Sequence, residues 1–183
     1  MNELSEIRIR PATIEDIPDL ERLISESVRR LSAPLYTGQQ IESALRNVFG
    51  VDTQLIKDGT YYVAEVEGRA AGCGGWSRRK TLYGGDQTKA GEDPLLDPAL
   101  EPARIRAFFV HPDYARRGIG RRLIERCEEA ARAANFSTME LAATLPGEPL
   151  YKAFGYQVIE RFDIPLPEGL GLPVARMWKR LKD

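Results

Sequence analysis

The N-terminal part of the chain changes from a two-residue period to a helical one. Residues 7–10 alternate apolar and basic side chains, which predicts a short strand. Two helices are predicted after it, and each begins with a pair of residues spaced as in a capping box, Thr13 with Asp16 and Thr37 with Gln40. Their apolar positions are Ile17, Leu20, Ile24, Val28 and Leu31 in the first helix and Ile41, Ala44, Leu45 and Val48 in the second. Gly50 stands where the second helix should end.

The pattern changes to strands in the middle of the chain. Residues 61–66 and 69–77 are β-rich, and Glu67-Gly68 between them is a connection of the kind that closes a hairpin. Residues 80–103 contain six Gly and Pro residues and no sustained period. A loop of this length in a compact domain is more often functional than neutral, so we expect a lid or a substrate-facing segment.

The C-terminal half alternates strands and helices. A strand is predicted at 104–110 and a helix at 118–134, followed by a strand at 138–143, a short helix at 147–154 and strands at 156–162 and 174–181. Because strands and helices interleave throughout, we predict one domain over residues 1–183, of the α/β or α+β layered class with a mixed sheet.

Composition narrows the class of protein. The 183 residues are 43% hydrophobic. Because 26 Lys plus Arg stand against 27 Asp plus Glu, non-specific electrostatic binding to nucleic acid is not expected. Two cysteines, Cys73 and Cys127, and the single His111 support neither a disulfide scaffold nor a zinc site. The chain shows no signal peptide and no apolar run long enough to span a bilayer, so we expect a cytoplasmic protein without a membrane partner.

The sharpest local signal is the segment YARRGIGRRL at 114–123, between a predicted strand and a predicted helix. Free backbone N–H groups at a helix start, the positive end of the helix dipole and glycines that admit a ligand together make a diphosphate cradle. The alternative is an ordinary turn into a basic helix, with Glu125 and Glu128 paired to Arg121 and Arg132. Leu123 stands where a dinucleotide fingerprint needs glycine, and the chain has no P-loop sequence.

Three ordered blocks resemble the GCN5-related N-acetyltransferase (GNAT) family. Residues 115–120 match its pyrophosphate loop except that Ala115 replaces the usual Gln or Arg, the preceding AFFVHPDY at 107–114 looks like its central strand, and LYKAFGY at 150–156 looks like its last signature. The resemblance implies a mixed, mostly antiparallel central sheet flanked by helices, with a splayed central strand pair. It also implies acetyl-CoA as cosubstrate, an amine acceptor and no metal, and leaves a homodimer open.

The resemblance also assigns residues to the cofactor site. Backbone groups of Phe108 and Val110, with Phe109 between them, would pair with the pantetheine. The pyrophosphate would bind the backbone amides of Arg116, Arg117, Gly118, Ile119, Gly120 and Arg121. Thr144 stands seven positions before Tyr151, where the family commonly has an Asn on the cofactor; a hydroxyl replaces that amide less completely.

Tyr151 is the expected catalytic acid. Aminolysis of a thioester expels a thiolate, and a phenol, with a reference pKa of about 10, is protonated near neutral pH and can donate to that sulfur. The alternative is an aromatic packing residue beside Phe154 and Tyr156. The expected reaction is acetyl transfer to a primary amine by direct attack in a ternary complex. The acceptor would contact residues 31–40 and the 80–103 loop.

Several assignments stay open at this stage. No acidic residue lies in 104–110, and Glu65 and Glu140 could act as bases through water but are more often solvated or paired with Arg. Arg104 and Arg106 share a strand face, where they bind a substrate anion or form internal ion pairs with Glu140, Asp86 or Asp93. His111 and the two cysteines are interpreted as turn and core residues.

Other functions remain open as well. The same fold could use another acyl-CoA or acceptor, or bind acetyl-CoA as a sensor without turnover, which the missing strand carboxylate favours. A module that binds another nucleotide diphosphate in the cradle is the third alternative.

Overall fold

A computed structural model describes residues 6–181, in which one seven-stranded sheet separates two layers of helices. Its strands are β1 (Ile7–Pro11), β2 (Tyr61–Val66), β3 (Arg69–Ser77), β4 (Ala103–Val110), β5 (Thr138–Thr144), β6 (Gln157–Pro165) and β7 (Gly171–Arg180). They lie in the order β1-β2-β3-β4-β5-β7-β6. Neighbours within the described chain pair antiparallel except β4 with β5, which run parallel. This is the mixed, mostly antiparallel sheet that the resemblance implied.

Helices cover both faces of the sheet. The helices are α1 (Ile17–Ser32), α2 (Gly38–Asn47), α3 (Thr53–Lys57), α4 (Ile119–Ala133) and α5 (Glu148–Ala153). Side chains of α1, α2 and α3 share one buried apolar cluster, and side chains of α4 and α5 share the other. Each fully buried Leu or Ile, such as Leu20 and Leu123, contributes about 1.5–3 kcal/mol to folding. The helix periodicity thus specifies which faces meet the sheet.

Local sequence signals explain where elements begin and end. The Thr37 hydroxyl accepts the Gln40 N–H at 3.1 Å and the Gln40 side chain accepts the Thr37 N–H at 2.9 Å, which confirms the predicted capping box. Glu67 and Gly68 have φ of 50° and 73°, the left-handed pair of a tight hairpin turn. Asn135, with φ of 67°, ends α4 as expected.

The structure also contains elements that the sequence analysis did not predict. Helix α3 is one of them; it is capped by Asp52, whose carboxylate accepts the N–H groups of Gln54 and Leu55. The last hairpin is longer than predicted, because β6 continues to Pro165 and β7 begins at Gly171. Within the long loop, Asp86–Thr88 forms a short 3-10 helix. No helix among residues 6–181 is long and apolar enough to cross a membrane.

The parallel strands β4 and β5 separate soon after they meet. Only two residue pairs join them within the described chain, Ala103 with Met139 and Arg104 with Glu140. Strand β4 nevertheless continues to Val110, and β5 to Thr144. Beyond Arg104 the two strands diverge and leave a cleft in the middle of the sheet. This is the splayed strand pair that the resemblance implied.

Candidate active site

A bulge in β4 shapes one wall of the cleft. The register between β3 and β4 shifts between Cys73 and Gly75, and Ala107 opposite has φ of 51°. The Tyr61 hydroxyl donates to the Ala107 carbonyl at 2.9 Å, which fixes this left-handed residue. A Cβ on Gly74 would lie 2.3 Å from the ring of Phe108, so glycine is needed for that ring to lie against the strand.

The far edge of β4 presents free backbone groups to the cleft. The His111 N–H donates to the Ala71 carbonyl of the neighbouring strand β3 at 2.9 Å, and Phe109 pairs with Cys73 of β3. Because successive residues of a strand direct their backbone groups to opposite edges, those of Phe108 and Val110 face away from β3. They point to the side where β5 has separated.

The start of α4 forms an open backbone turn at one end of the cleft. Gly118 precedes the helix with φ of 86°, Arg116 has φ of 65°, and no side chain caps the first turn. A Cβ on Gly120 would lie 2.7 Å from a methyl group of Leu150, so this glycine lets α4 pack closely on α5. The first amides of α4 therefore have no side-chain cap and have the dipole direction needed for an anion.

Several arginine side chains lie around this turn, and none of them occupies its backbone amides. Arg116 and Arg117 are exposed, and the Arg117 guanidinium lies 5.5 Å from the centre of the Tyr114 ring. Arg121 bonds Glu125 at 2.9 Å and Arg132 lies 3.9 Å from Glu128, so the helix-surface pairs of the alternative interpretation are also present. These pairs lie along α4 and leave the backbone amides of the turn free.

Tyr151 lies between the two walls of the cleft. Its side chain is 6% exposed, and its ring centre lies 6.2 Å from that of Phe108 and 5.8 Å from that of Tyr156. Burial raises the pKa of its phenol, so the proton stays on through the neutral range. Its hydroxyl makes no hydrogen bond with any residue in 6–181, which leaves it available to a bound ligand.

The helix that carries Tyr151 is held by a charged anchor. Glu148 accepts two hydrogen bonds from Arg161 on β6, at 2.7 and 3.0 Å, and its carboxylate lies 2.7 Å from Lys152. These cations lower the pKa of Glu148 to about 2. Thr144 and Gly147 complete the turn before α5, where the Thr144 hydroxyl accepts the Gly147 N–H at 3.3 Å.

The cleft contains two cavities that meet at Tyr151. The cradle-side cavity, about 310 Å³, extends past Val110 and Leu150 to Ala115 and Arg116. The loop-side cavity, about 90 Å³, extends between Arg106 and residues 82–85 of the long loop. Six residues line both cavities: Phe49, Phe108, Phe109, Thr144, Gly147 and Tyr151. A ligand that enters at the α4 turn and one that enters beside the loop would therefore meet at Tyr151.

The structure assigns the two strand arginines to internal ion pairs. Arg104 bonds Glu140, as one alternative predicted. The partners expected for Arg106 were wrong: it bonds the fully buried Asp52 at 2.9 Å and donates to the carbonyls of Thr81 and Gly84. Asp52 was not considered because its role depends on α3, which the sequence analysis did not predict.

The remaining sequence candidates line neither cavity of the cleft. Glu65 bonds Arg10 at 2.7 Å and Glu140 bonds Arg104 and Arg176, so neither carboxylate faces the cleft. The His111 imidazole accepts the Asp113 N–H at 3.2 Å and caps a short turn, as interpreted. Cys73 and Cys127 are fully buried in the core.

Two cleft residues were missed by the sequence analysis. Phe49 lies just outside the apolar stripe of α2 and contacts Phe109 edge to face, with ring centres 5.8 Å apart. Tyr83 reaches the cleft from the long loop, and its ring centre lies 6.0 Å from that of Phe162 on β6. An aromatic residue that breaks the helical stripe next to Gly50 was the available signal for Phe49.

Comparison with known proteins agrees with this geometry. The family model for the acetyltransferase (GNAT) domain matches residues 57–158. A GCN5-related N-acetyltransferase from Rhodopseudomonas palustris superposes with a TM-score of 0.72 at 22% identity, covering 97% of each chain. PaiA N-acetyltransferase from Thermoplasma acidophilum, in complex with coenzyme A, gives 0.65 at 16% identity over 96% of this chain and 99% of its own.

A third solved structure is YncA from Salmonella typhimurium, a putative acetyltransferase with its cofactor acetyl-CoA. It gives a TM-score of 0.63 at 16% identity over 97% of this chain and 95% of its own. No curated protein matched the sequence significantly. The chain belongs to the GNAT acetyltransferase family.

Proposed function

We propose that the protein transfers the acetyl group of acetyl-CoA to a primary amine. The observation that carries this proposal is the continuous path inside one cleft from the free amides of the α4 turn, along the unpaired edge of β4, to the protonated hydroxyl of Tyr151. Each part of that path matches a different chemical part of acetyl-CoA.

The residues of the cradle-side cavity fit this cosubstrate. Backbone amides from Arg116 to Arg121 would bind the pyrophosphate, with Arg116 and Arg117 adding positive charge. The free groups of Phe108 and Val110 would pair with the amides of the pantetheine as an added strand would. Thr144, which lines both cavities, would supply a further hydrogen bond near the thioester. The coenzyme A and acetyl-CoA complexes of the Thermoplasma and Salmonella relatives support the choice of ligand.

The reaction needs one bond made, one bond broken and two protons moved. The amine nitrogen forms a bond to the acetyl carbon, the bond from that carbon to sulfur breaks, and the nitrogen loses a proton. Tyr151 donates its proton to the leaving sulfur and regains one from solvent, so an amine and acetyl-CoA give an amide and CoA. Positioning of the two reactants supplies much of the acceleration.

The amine loses its proton to solvent in this proposal. No carboxylate within residues 6–181 lines either cavity. The reactive species is therefore the neutral amine taken from solution. The same observation favours the second candidate function, a sensor that binds acetyl-CoA without turnover.

The test combines binding and turnover. The purified protein is titrated with acetyl-CoA by calorimetry, and release of the CoA thiol is then followed with a panel of primary amines. Tyr151→Phe is expected to lower kcat by about 100-fold, with the acetyl-CoA Kd within a factor of two. The matched control is Tyr62→Phe, because Tyr62 is buried on β2 away from both cavities. Binding without thiol release for any amine would support the sensor instead.

A further inference from the structure

The loop-side cavity has a specific chemistry that defines the acceptor. Most of the side chains that line it are apolar or aromatic, and they come from the end of α2, the long loop, β4 and β5. These side chains are Val48, Phe49, Leu82, Tyr83, Ile105, Phe108, Phe109 and Leu141. We propose that the acceptor is a primary amine on a compact apolar or aromatic body that carries no second charge. The proposal rests on the proposed acetyl transfer, because it assigns this cavity to the second substrate.

Charge is the first argument for this substrate class. Arg106 is the one charged side chain that lines the cavity within the described chain, and it is 2% exposed. Asp52 pairs with one Nη of its guanidinium at 2.9 Å, and the carbonyls of Thr81 and Gly84 accept further Nη–H groups. Its Nε has no hydrogen-bond partner within the described chain and is buried away from solvent. A substrate carboxylate therefore finds no accessible cation, and the second ammonium of a polyamine finds no carboxylate. A charge placed there without a partner is strongly disfavoured, because it loses its hydration and gains no counterion.

The shape of the cavity is the second argument. Its volume of about 90 Å³ suits a compact group next to the reacting amine. Tyr83 lines it from the long loop, with its ring centre 6.0 Å from that of Phe162, while Phe49 and Phe109 line it in edge-to-face contact with each other. These aromatic rings offer an apolar surface on which the body of a neutral amine packs, without a fixed anion that would hold the amine in its charged form.

The long loop is fastened in the position that forms this wall. Arg106 bonds the Thr81 and Gly84 carbonyls, Lys89 bonds Asp52, and the Gln87 amide donates to the Phe49 carbonyl at 2.9 Å. Arg106 and Asp52 therefore act as positioning residues for Tyr83. The 80–103 loop is in this proposal a preformed substrate-facing wall.

The test compares amines that share one body and differ in charge. These are 4-methylbenzylamine, 4-(aminomethyl)benzoate and 1,4-bis(aminomethyl)benzene, with spermidine as the extended polycation. We expect kcat/KM for 4-methylbenzylamine to exceed that of each charged analogue at least tenfold. Equal or greater kcat/KM for a charged analogue overturns the acceptor assignment while acetyl transfer stands. If none of these four amines releases thiol but another primary amine of the wider panel does, the acceptor assignment fails while acetyl transfer stands. Binding of acetyl-CoA without thiol release for any amine of that panel contradicts the proposed function itself.

A pair of variants at Tyr83 tests the wall directly. Tyr83→Ala is expected to raise the KM for 4-methylbenzylamine about tenfold and to leave the acetyl-CoA Kd unchanged. Tyr83→Phe, which keeps the ring, is expected to recover most of that loss. An unchanged KM in Tyr83→Ala, with the protein folded by circular dichroism, contradicts the role of the loop as the acceptor wall.

Discussion

The ring of Phe108 on β4 and the ring of Tyr151 on α5 lie with their centres 6.2 Å apart, across the gap that opens between β4 and β5. The two residues come from opposite walls of the cleft, and both line its two cavities. The contact therefore marks the position where the thioester and the amine are proposed to meet. Its geometry depends on the bulge in β4, on Gly74 and on the anchor of α5.

The pH dependence follows from the absence of a lining carboxylate and from the raised pKa of Tyr151. Below the pKa of an alkylamine, about 10, the reactive neutral amine increases about tenfold per pH unit. Tyr151 stays protonated over the same range. We therefore expect log kcat/KM for the amine to rise with a slope near one from about pH 6 to pH 9, with no decline in that range. A plateau beginning near pH 7 would reveal a protein base and contradict this account.

Gly74 tests the bulge that shapes the cleft. A methyl group there would lie 2.3 Å from the Phe108 ring, so Gly74→Ala must displace the ring or the strand. We expect a loss of about 1–3 kcal/mol in unfolding free energy and at least fivefold weaker acetyl-CoA binding. Gly38→Ala is the control, since nothing lies within 4 Å of the added carbon. Unchanged acetyl-CoA binding in Gly74→Ala would show that the bulge does not shape the cofactor site.

Much of the fold could be predicted from the sequence because its signals are local. The capping pair of Thr37 and Gln40, and the hairpin turn at Glu67-Gly68, specify their structures within a few residues. The partner of Arg106 could not be predicted in this way. Asp52 is 54 positions away and is brought to Arg106 by a short helix with a weak periodic signal.

The candidate site likewise has one part that is local in sequence and one part that tertiary packing assembles. The α4 turn is contiguous in sequence, so its glycines and arginines were recognisable. The acceptor wall combines Phe49, Tyr83 and β4, which meet only through the tertiary packing of α2 and the long loop. No periodic or spacing rule connects these segments, and the wall could therefore not be predicted.

Glu148 links the position of Tyr151 to acid stability. Its pKa is lowered to about 2 in the folded protein by Arg161 and Lys152, whereas the unfolded value is about 4.3. The contribution of the Glu148 carboxylate to the free energy of unfolding is therefore fully present above the unfolded pKa. It is lost as the pH falls from about 4.3 to 2. We expect Glu148→Gln to lower the melting temperature at pH 7. We also expect the free energy of unfolding of this variant to depend less on pH over that acid range. Exposed Glu129→Gln is the control, and an acid profile equal to wild type in Glu148→Gln contradicts the assignment.

The buried pair of Asp52 and Arg106 makes a separate stability prediction. Both side chains are 1% exposed, so Asp52→Asn leaves the Arg106 charge in the core without its counterion. We expect a loss of about 3–5 kcal/mol in chemical denaturation. Glu125→Gln breaks the exposed pair with Arg121 and should cost less than about 1 kcal/mol. Similar losses in the two variants would contradict the structural role of the buried pair.

The central claim is that the α4 turn and the open edge of β4 hold acetyl-CoA. Calorimetric titration of acetyl-CoA and CoA tests it most directly, using wild type, the double variant Arg116→Glu/Arg117→Glu and the control Arg69→Glu on the distant β2–β3 hairpin. The account predicts saturable micromolar binding of both ligands to wild type and the control, and at least tenfold weaker binding to the double variant. No binding to wild type, or equal binding to all three proteins, would contradict it.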